Sequence, residues 1–195
     1  MNQQHLLLGL LWIIYCICHS LLANLKVKEC FSRLMGSGFK YYRISYSIFA
    51  AITLVLLIYY QYSIQSVYLF FSSIVKIIAL LIFIIPGMLI MSLCIKKYFY
   101  ELSGIQALND EPLHITLQVT GLHKYVRHPL YAGTLLFSLG LFFLFPLLSN
   151  LIAFIVMTIY VLIGIRLEEK KLRIEFGDEY ILYSKRVSML IPGVL

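Results

Sequence analysis

The sequence predicts an all-α integral membrane protein. It has about five transmembrane helices, a helical hairpin of spans four and five, and a cytoplasmic C-terminal helix. Three observations predict this class. First, 61% of the 195 residues are hydrophobic and only 13% are charged, with a mean hydropathy of +0.89. Soluble domains hold about 45–50% apolar and about 25% charged residues. A soluble globule of this composition would lack the polar surface to cover itself, which excludes a soluble enzyme, a disordered chain and a disulfide scaffold. Second, several apolar runs approach the roughly 20 residues that a helix needs to cross a bilayer. Third, the net charge of +7 comes from 16 Lys and Arg against 9 Asp and Glu. The bases gather in short stretches between apolar runs, which marks them as topology signals and not as a nucleic-acid surface.

Taken in order, the first span runs from about His5 to Ala23. Its apolar stretch is too long for a signal peptide, and no basic residue precedes it. The second runs from about Ile44 to Tyr60. The third is Ile77 to Ile95, with Ser63 to Lys76 as an outer interfacial segment. Pro86-Gly87 predicts a kink in it, with space beside the kink for a lipid tail. The fourth starts at Pro129 and ends near Leu147, and the fifth runs from Leu151 to about Ile165. Lys26, Lys28, Arg33, Lys40 and Arg43 then fall between spans one and two, and Lys96, Lys97, Lys124 and Arg127 between spans three and four. Arg166, Lys170, Lys171, Arg173, Lys185 and Arg186 follow span five. By the positive-inside rule the first loop, third loop and C-terminus are cytoplasmic and the N-terminus is outside. Tyr41, Tyr42, Tyr98 and Tyr100 form one aromatic belt; Tyr59, Tyr60 and Tyr62 form the other. The expected organisation is one membrane domain over 1–195: three spans in 1–95, a cytoplasmic loop in 96–128, and a hairpin and tail in 129–195. Five spans without an internal repeat argue against an inverted-repeat transporter.

Two cytoplasmic segments are richer than topology requires. The loop from Lys96 to His128 holds His114, His123, His128, Glu101, Asp110 and Glu111, and loops of that length are usually functional or disordered. Span four climbs about 27 Å and span five descends about 24 Å at 1.5 Å per residue. The turn between them is short, so Arg127, His128 and Tyr131 should lie level with Arg166, Glu168 and Glu169. Pro129 suits the first turn of a helix. The free N–H groups of that turn, with Arg127 beside them, favour an anion. Glu168 and Glu169 can accept hydrogen bonds from an amine or from sugar hydroxyls. A ligand with a carboxylate, an amine and a ribose, such as S-adenosylmethionine, fits both halves. The same residues also read as interfacial arginine anchors and i,i+4 ion pairs on a solvated helix.

Other features carry less. His19 is an intramembrane ionisable residue, a functional hint by default, and reads as a polar link between helices. The spacings of nine and five between His114, His123 and His128 fit no common ligand motif, so no metal is expected. Gly36-Ser37-Gly38 lacks both the third glycine and the preceding strand of a nucleotide loop. Cys16, Cys18 and Cys94 lie in apolar runs as small hydrophobes, and Cys30 lies in a basic loop. Leu172, Phe176, Tyr180, Tyr183 and Val187 recur at helical spacing, an apolar stripe on a helix over the membrane or the pocket, with Gly177 as its break point.

One combination is specific. It joins Gly121 to Tyr131, with its Arg127-His128-Pro129-Leu130-Tyr131 block, the hairpin after it, and Glu168-Glu169 with Leu172. Phe176-Gly177-Asp178-Glu179-Tyr180, Tyr183, Arg186-Val187 and Ile191-Pro192 complete it. Together these resemble the isoprenylcysteine carboxyl methyltransferase family, including its bacterial thiol S-methyltransferase-like relatives. The resemblance covers the C-terminal 75 residues. Upstream, His19 to Ala23 and Tyr42-Arg43 with Tyr46 are similar to the N-terminal spans of the bacterial branch.

The resemblance implies an S-adenosylmethionine-dependent methyltransferase in a bacterial inner membrane. Its cofactor would sit in a cytoplasmic-facing pocket, and a lipophilic or small acceptor, an isoprenylcysteine-like carboxylate or a thiol, would enter from the bilayer. Carried over, the cofactor contacts are Gly121, Leu122, His123, Arg127, His128, Pro129, Leu130, Tyr131 and Glu168. Arg166 lies near, but offset from, a substrate-facing arginine of the family. His123 stands where many relatives have Tyr, and Ser188 where Pro is frequent. Methyl transfer needs alignment and a dry site. A thiol acceptor must in addition be deprotonated, and His123 is the candidate base. Membrane sterol reductases share a related block and bind NADPH; Glu168-Glu169 and the run from Phe176 to Tyr180 favour the methyltransferase branch. A non-catalytic membrane protein keeping this fold is the third reading.

Overall fold

The structure is a computed structural model that describes residues 3–69, 71–103, 105 and 116–194, with backbone alone at 100–102. Asp110, Glu111 and His114 lie outside the described residues, as does the Glu101 side chain. The helices are α1 (Gln3–Ala23), α2 (Leu25–Met35), α3 (Tyr42–Ser63), α4 (Ser73–Ile78), α5 (Ile85–Ser103), α6 (Pro129–Leu144) and α7 (Leu148–Arg186). A π-helical turn, Ala79–Ile84, joins α4 to α5.

This is an all-α integral membrane protein. Among the described residues, four segments, containing α1, α2–α3, α4–α5 and α7, are long and apolar enough to cross a membrane. Only 17% of the most apolar window of α1 and 11% of that of α2–α3 is buried inside the protein. The leucines and isoleucines left outside, such as Leu6, Ile13, Ile52 and Leu56, need lipid to cover them. α1 packs on α7 and α3, while α6 packs on α5, on the π turn and on α7. Leu8, Trp12, Leu57, Ile64 and Ala153 form the apolar core where α1, α3 and α7 meet.

Several boundaries differ from expectation, each for a local reason. The stretch between the first two spans is not a loop: Asn24 caps α2 by accepting from Lys26 N–H, and a 3₁₀ segment, Gly36–Tyr41, leads into α3. The third span begins earlier than Ile77, because Ser72 caps Val75 N–H and opens α4 at Ser73. It also continues past Ile95 to Ser103. The fourth helix stops at Leu144, before Leu147. Phe145 precedes Pro146, whose ring pushes it out of the α region to φ −119, ψ 84. The fifth span and the tail helix are one 39-residue helix, bent at Gly177, whose φ of +52 no helix interior holds.

Pro86 does disturb its helix, but without opening space at the α6 interface. Its missing N–H and the clash with the carbonyl four residues back are absorbed by the π turn just upstream. Gly87 then lies against α6 so closely that a Cβ there would stand 2.7 Å from Phe137 N and 2.9 Å from Gly133 O.

At the end away from the basic clusters, side chains lock the bundle. Trp12 Nε1 donates to Gln61 Oε1 (2.9 Å) and Gln61 Nε2 to Asn150 Oδ1 (2.7 Å), while Asn150 Nδ2 donates to the Phe145 carbonyl (2.7 Å). The connection after α3 pairs with the α6–α7 turn through Tyr68 and Leu147. At the basic end, Lys28 on α2 lies close enough to Arg43 and Lys171 to interact with both.

Candidate functional site

The basic end of the α6–α7 hairpin gathers the charged residues that the sequence placed level with one another. His128 is the residue before Pro129, so its backbone is kept out of the α region (φ −123, ψ 66) and α6 starts at the proline. No side chain among the described residues caps that first turn. His128 is buried, and Pro129 is too. On α7, Glu168 and Glu169 face this turn.

The two glutamates are in different situations. Glu169 has a side-chain exposure of 12% and accepts from Arg127 Nε at 2.8 Å. His128 Nε2 stands 3.3 Å from the same oxygen, and Arg173 Nη2 is 3.8 Å from the other. A carboxylate only accepts, so His128 carries a hydrogen on Nε2. Burial works to raise the Glu169 carboxyl. The hydrogen bond and charge of Arg127, followed by those of His128, outweigh burial and hold it below the usual glutamate range. Glu168 is 44% exposed, with Oε2 3.7 Å from His128 Nδ1. The Tyr131 side chain lies beside it, and the Tyr131 ring stacks on His128 with centroids 5.7 Å apart.

Arg127 is bound into the protein. Besides Glu169 Oε1, its Nη1 donates to the Ser184 carbonyl (2.8 Å) and to the Val187 carbonyl. Its own N–H donates to Ser188 O (2.8 Å) and that of His128 to Met189 O (3.2 Å), so the C-terminal strap pairs with the segment before α6. The hydroxyl of Tyr180 is buried beside Glu169.

His123 is held on both sides. It lies on a 3₁₀ turn, Gly121–Lys124, with Nδ1 3.0 Å from the Arg127 carbonyl and Nε2 2.8 Å from the Tyr98 hydroxyl. The carbonyl only accepts, so the ring proton is on Nδ1 and Nε2 accepts from Tyr98. Tyr183 donates to the His123 carbonyl at 2.7 Å. Burial pulls His123 below the usual imidazole range; the Arg127 carbonyl works against that, while Lys97 and His128 add to it.

The structure therefore brings together His123, Arg127, His128, Pro129, Leu130, Tyr131 and Glu168. Gly121 and Leu122 begin the same 3₁₀ turn, Gly121 exposed and Leu122 half-buried. Arg166 is exposed; two residues from Glu168, it projects about 200° away around the helix. Sequence reasoning passed over Glu169 as the pivot of the cluster, Tyr98 as the His123 partner, and the strap from Val187 to Met189. Tyr180 and Tyr183 were visible as part of an apolar stripe, yet their hydroxyls sit at the site.

The methanethiol S-methyltransferase of Crocosphaera subtropica is 28% identical over 194 residues, covering 95% of this chain and 73% of its own length. Methanethiol S-methyltransferase 1 of Bradyrhizobium diazoefficiens is 30% identical over 192 residues, covering 94% and 65%. A methanethiol S-methyltransferase of Pseudomonas deceptionensis is 34% identical over 115 residues, 55% of this chain and 42% of that protein. No solved structure matches the chain. The profile described as NnrU protein matches residues 6–191, and the chain belongs to the NnrU protein family.

Proposed function

We propose that the protein is an S-adenosylmethionine-dependent methyltransferase of the membrane that acts on a thiol. The observation that carries this reading is the meeting of an uncapped α6 N-terminus with the exposed carboxylate of Glu168 on α7. The relatives named methanethiol S-methyltransferase support it and favour a small thiol over a prenylated carboxylate.

The residues fit the methyl donor. Backbone N–H groups of Leu130 and Tyr131, at the positive end of α6, suit a carboxylate. Glu168 suits an ammonium group or ribose hydroxyls. The rings of Tyr131 and His128 offer a flat face beside the carboxylate. Arg127 and Glu169 act as the frame: their charges cancel, and they hold the α6 N-terminus against α7 and the strap. When bound, the donor supplies an electrophilic methyl group on sulfur. The chain aligns donor and acceptor and excludes water. The basic end, and with it this site, faces the cytoplasm of a bacterial inner membrane, in keeping with the positive-inside rule.

Calorimetry on purified protein tests the reading. S-adenosylmethionine or S-adenosylhomocysteine should bind, and NADPH should not. Glu168→Gln should weaken binding at least about tenfold, the loss of about 1.5–3 kcal/mol expected for a hydrogen bond to a charged group, without lowering the melting temperature. Unchanged affinity would place the donor elsewhere. Methyl transfer from labelled donor to small thiols should follow the same pattern.

A further inference from the structure

His19 is an ionisable group in the bundle that the site above leaves unused. It lies on α1, about one turn from the helix end at Ala23. Its ring stacks on Tyr15 (centroids 6.0 Å), tilts against Tyr46 (5.3 Å) and meets Tyr160 edge-on (6.5 Å). These rings come from α1, α3 and α7 and form three sides of an aromatic box. The Tyr46 hydroxyl stands 3.0 Å from both ring nitrogens and 3.3 Å from the His19 carbonyl. A neutral imidazole has one N–H and one lone pair. The in-plane directions from the two nitrogens diverge, so one oxygen lines up with only one of them. With its own proton given to the His19 carbonyl, Tyr46 accepts from the ring N–H, and the lone-pair nitrogen is left for a ligand.

The box adjoins the donor site. Tyr160, whose hydroxyl accepts from Ser20 at 3.2 Å, also lies near enough to Tyr131 to interact with it, and Tyr131 lies beside Glu168. Tyr160 thus stands between the box and the tyrosine beside the carboxylate proposed to hold the donor. Among the described histidines, His123 has both nitrogens committed, His128 sits between two carboxylates, and His5 is at the opposite end of α1, bonded to Ser66. His19 remains.

We propose that His19 deprotonates the acceptor thiol inside the membrane, beside the box of Tyr15, Tyr46 and Tyr160 that receives it. This rests on the methyltransferase reading above. Sulfur packs well on aromatic rings, so the box suits a small apolar thiol arriving from the bilayer. The thiol S–H bond breaks and its proton passes to the free imidazole nitrogen. The thiolate sulfur then attacks the donor's methyl carbon: a new S–CH₃ bond forms as the bond to the sulfonium breaks. The products are a methyl thioether and the neutral thioether of the donor. The proton leaves His19 for water at the basic end. The titratable groups of the box and those that interact with them are Tyr15 and Cys16 on α1, Tyr42, Arg43 and Tyr46 on α3, and Tyr160 on α7.

The test compares an alkanethiol, protonated at neutral pH, with an acidic aromatic thiol that is already thiolate. His19→Gln and His19→Ala should lose about 100-fold or more in alkanethiol methylation but stay within about threefold of wild type on the aromatic thiol. S-adenosylhomocysteine affinity should not change, and added imidazole should partly restore His19→Ala. The alkanethiol rate of the variants should rise with pH as the thiol itself ionises. Equal loss on both thiols, or undiminished alkanethiol turnover, overturns the role of His19 while leaving the methyltransferase reading intact. A wild-type protein that methylates neither thiol overturns both.

Discussion

At the scale of single residues, neighbouring glutamates on α7 divide between frame and ligand. Glu169, 12% exposed, is consumed by Arg127 and His128, whereas Glu168, 44% exposed, keeps its carboxylate accessible. Breaking a buried ion pair by removing one partner costs about 3–5 kcal/mol, because the remaining charge stays buried. Arg127→Met also strands the Ser184 and Val187 carbonyls. It should therefore lower the melting temperature sharply, which a thermal melt in detergent would check. The Glu169 carboxyl is held below its ordinary range, so its contribution is complete at neutral pH and is lost as pH falls through the folded value. Wild-type stability should drop on acidification, and Arg127→Met should show a shallower drop. The sequence placed Arg127 and Glu168 at one rim because hairpin geometry needs only helix rise. Helix geometry did not separate Glu168 from Glu169, since identical neighbours on a helix differ only in what each face meets; only the family resemblance singled out Glu168.

At the scale of elements, α5 and α6 are held by backbone proximity. A Cβ on Gly87 would meet Phe137 N at 2.7 Å, and one on Gly140 would meet Ile84 Cγ1 at 2.6 Å. Small residues let membrane helices approach where no hydrophobic force drives them together. Gly87→Val should cost about 3 kcal/mol, the upper end of overpacking penalties, because backbone cannot move aside as a side chain would. A thermal melt beside Gly36→Ala, where a Cβ meets nothing within 4 Å but φ is +51, separates packing from backbone strain. Pro86 was legible as a disturbance. The π turn that absorbs it, and the contact that follows, were not, because both depend on the surface α6 presents.

At the scale of the whole molecule, α7 is 39 residues long, about 58 Å at 1.5 Å per residue. The hydrocarbon core is about 30 Å thick, so one end of α7 must stand in water. The bases after Arg166 mark which end. In a cysteine-free background, Tyr68→Cys at the far end should react with a membrane-impermeant maleimide in intact cells, and Lys171→Cys only after lysis. The reverse pattern would invert the proposed orientation and put the donor site on the wrong side.

The sequence by itself determined the solvent, the helices and the side on which charge collects. Burial of apolar surface and the cost of charge in lipid act on every residue whatever its neighbours. It also determined that the hairpin closes with Arg127, His128 and Glu168 at one level, since short turns make adjacent helices antiparallel. Only the tertiary structure decided the pairings: Glu169 with Arg127, His123 with Tyr98, His19 with Tyr46. Each joins residues far apart in the chain, and hydrogen bonds need positions set to fractions of an ångström. Those positions follow from how the helices pack, which periodicity and composition do not encode.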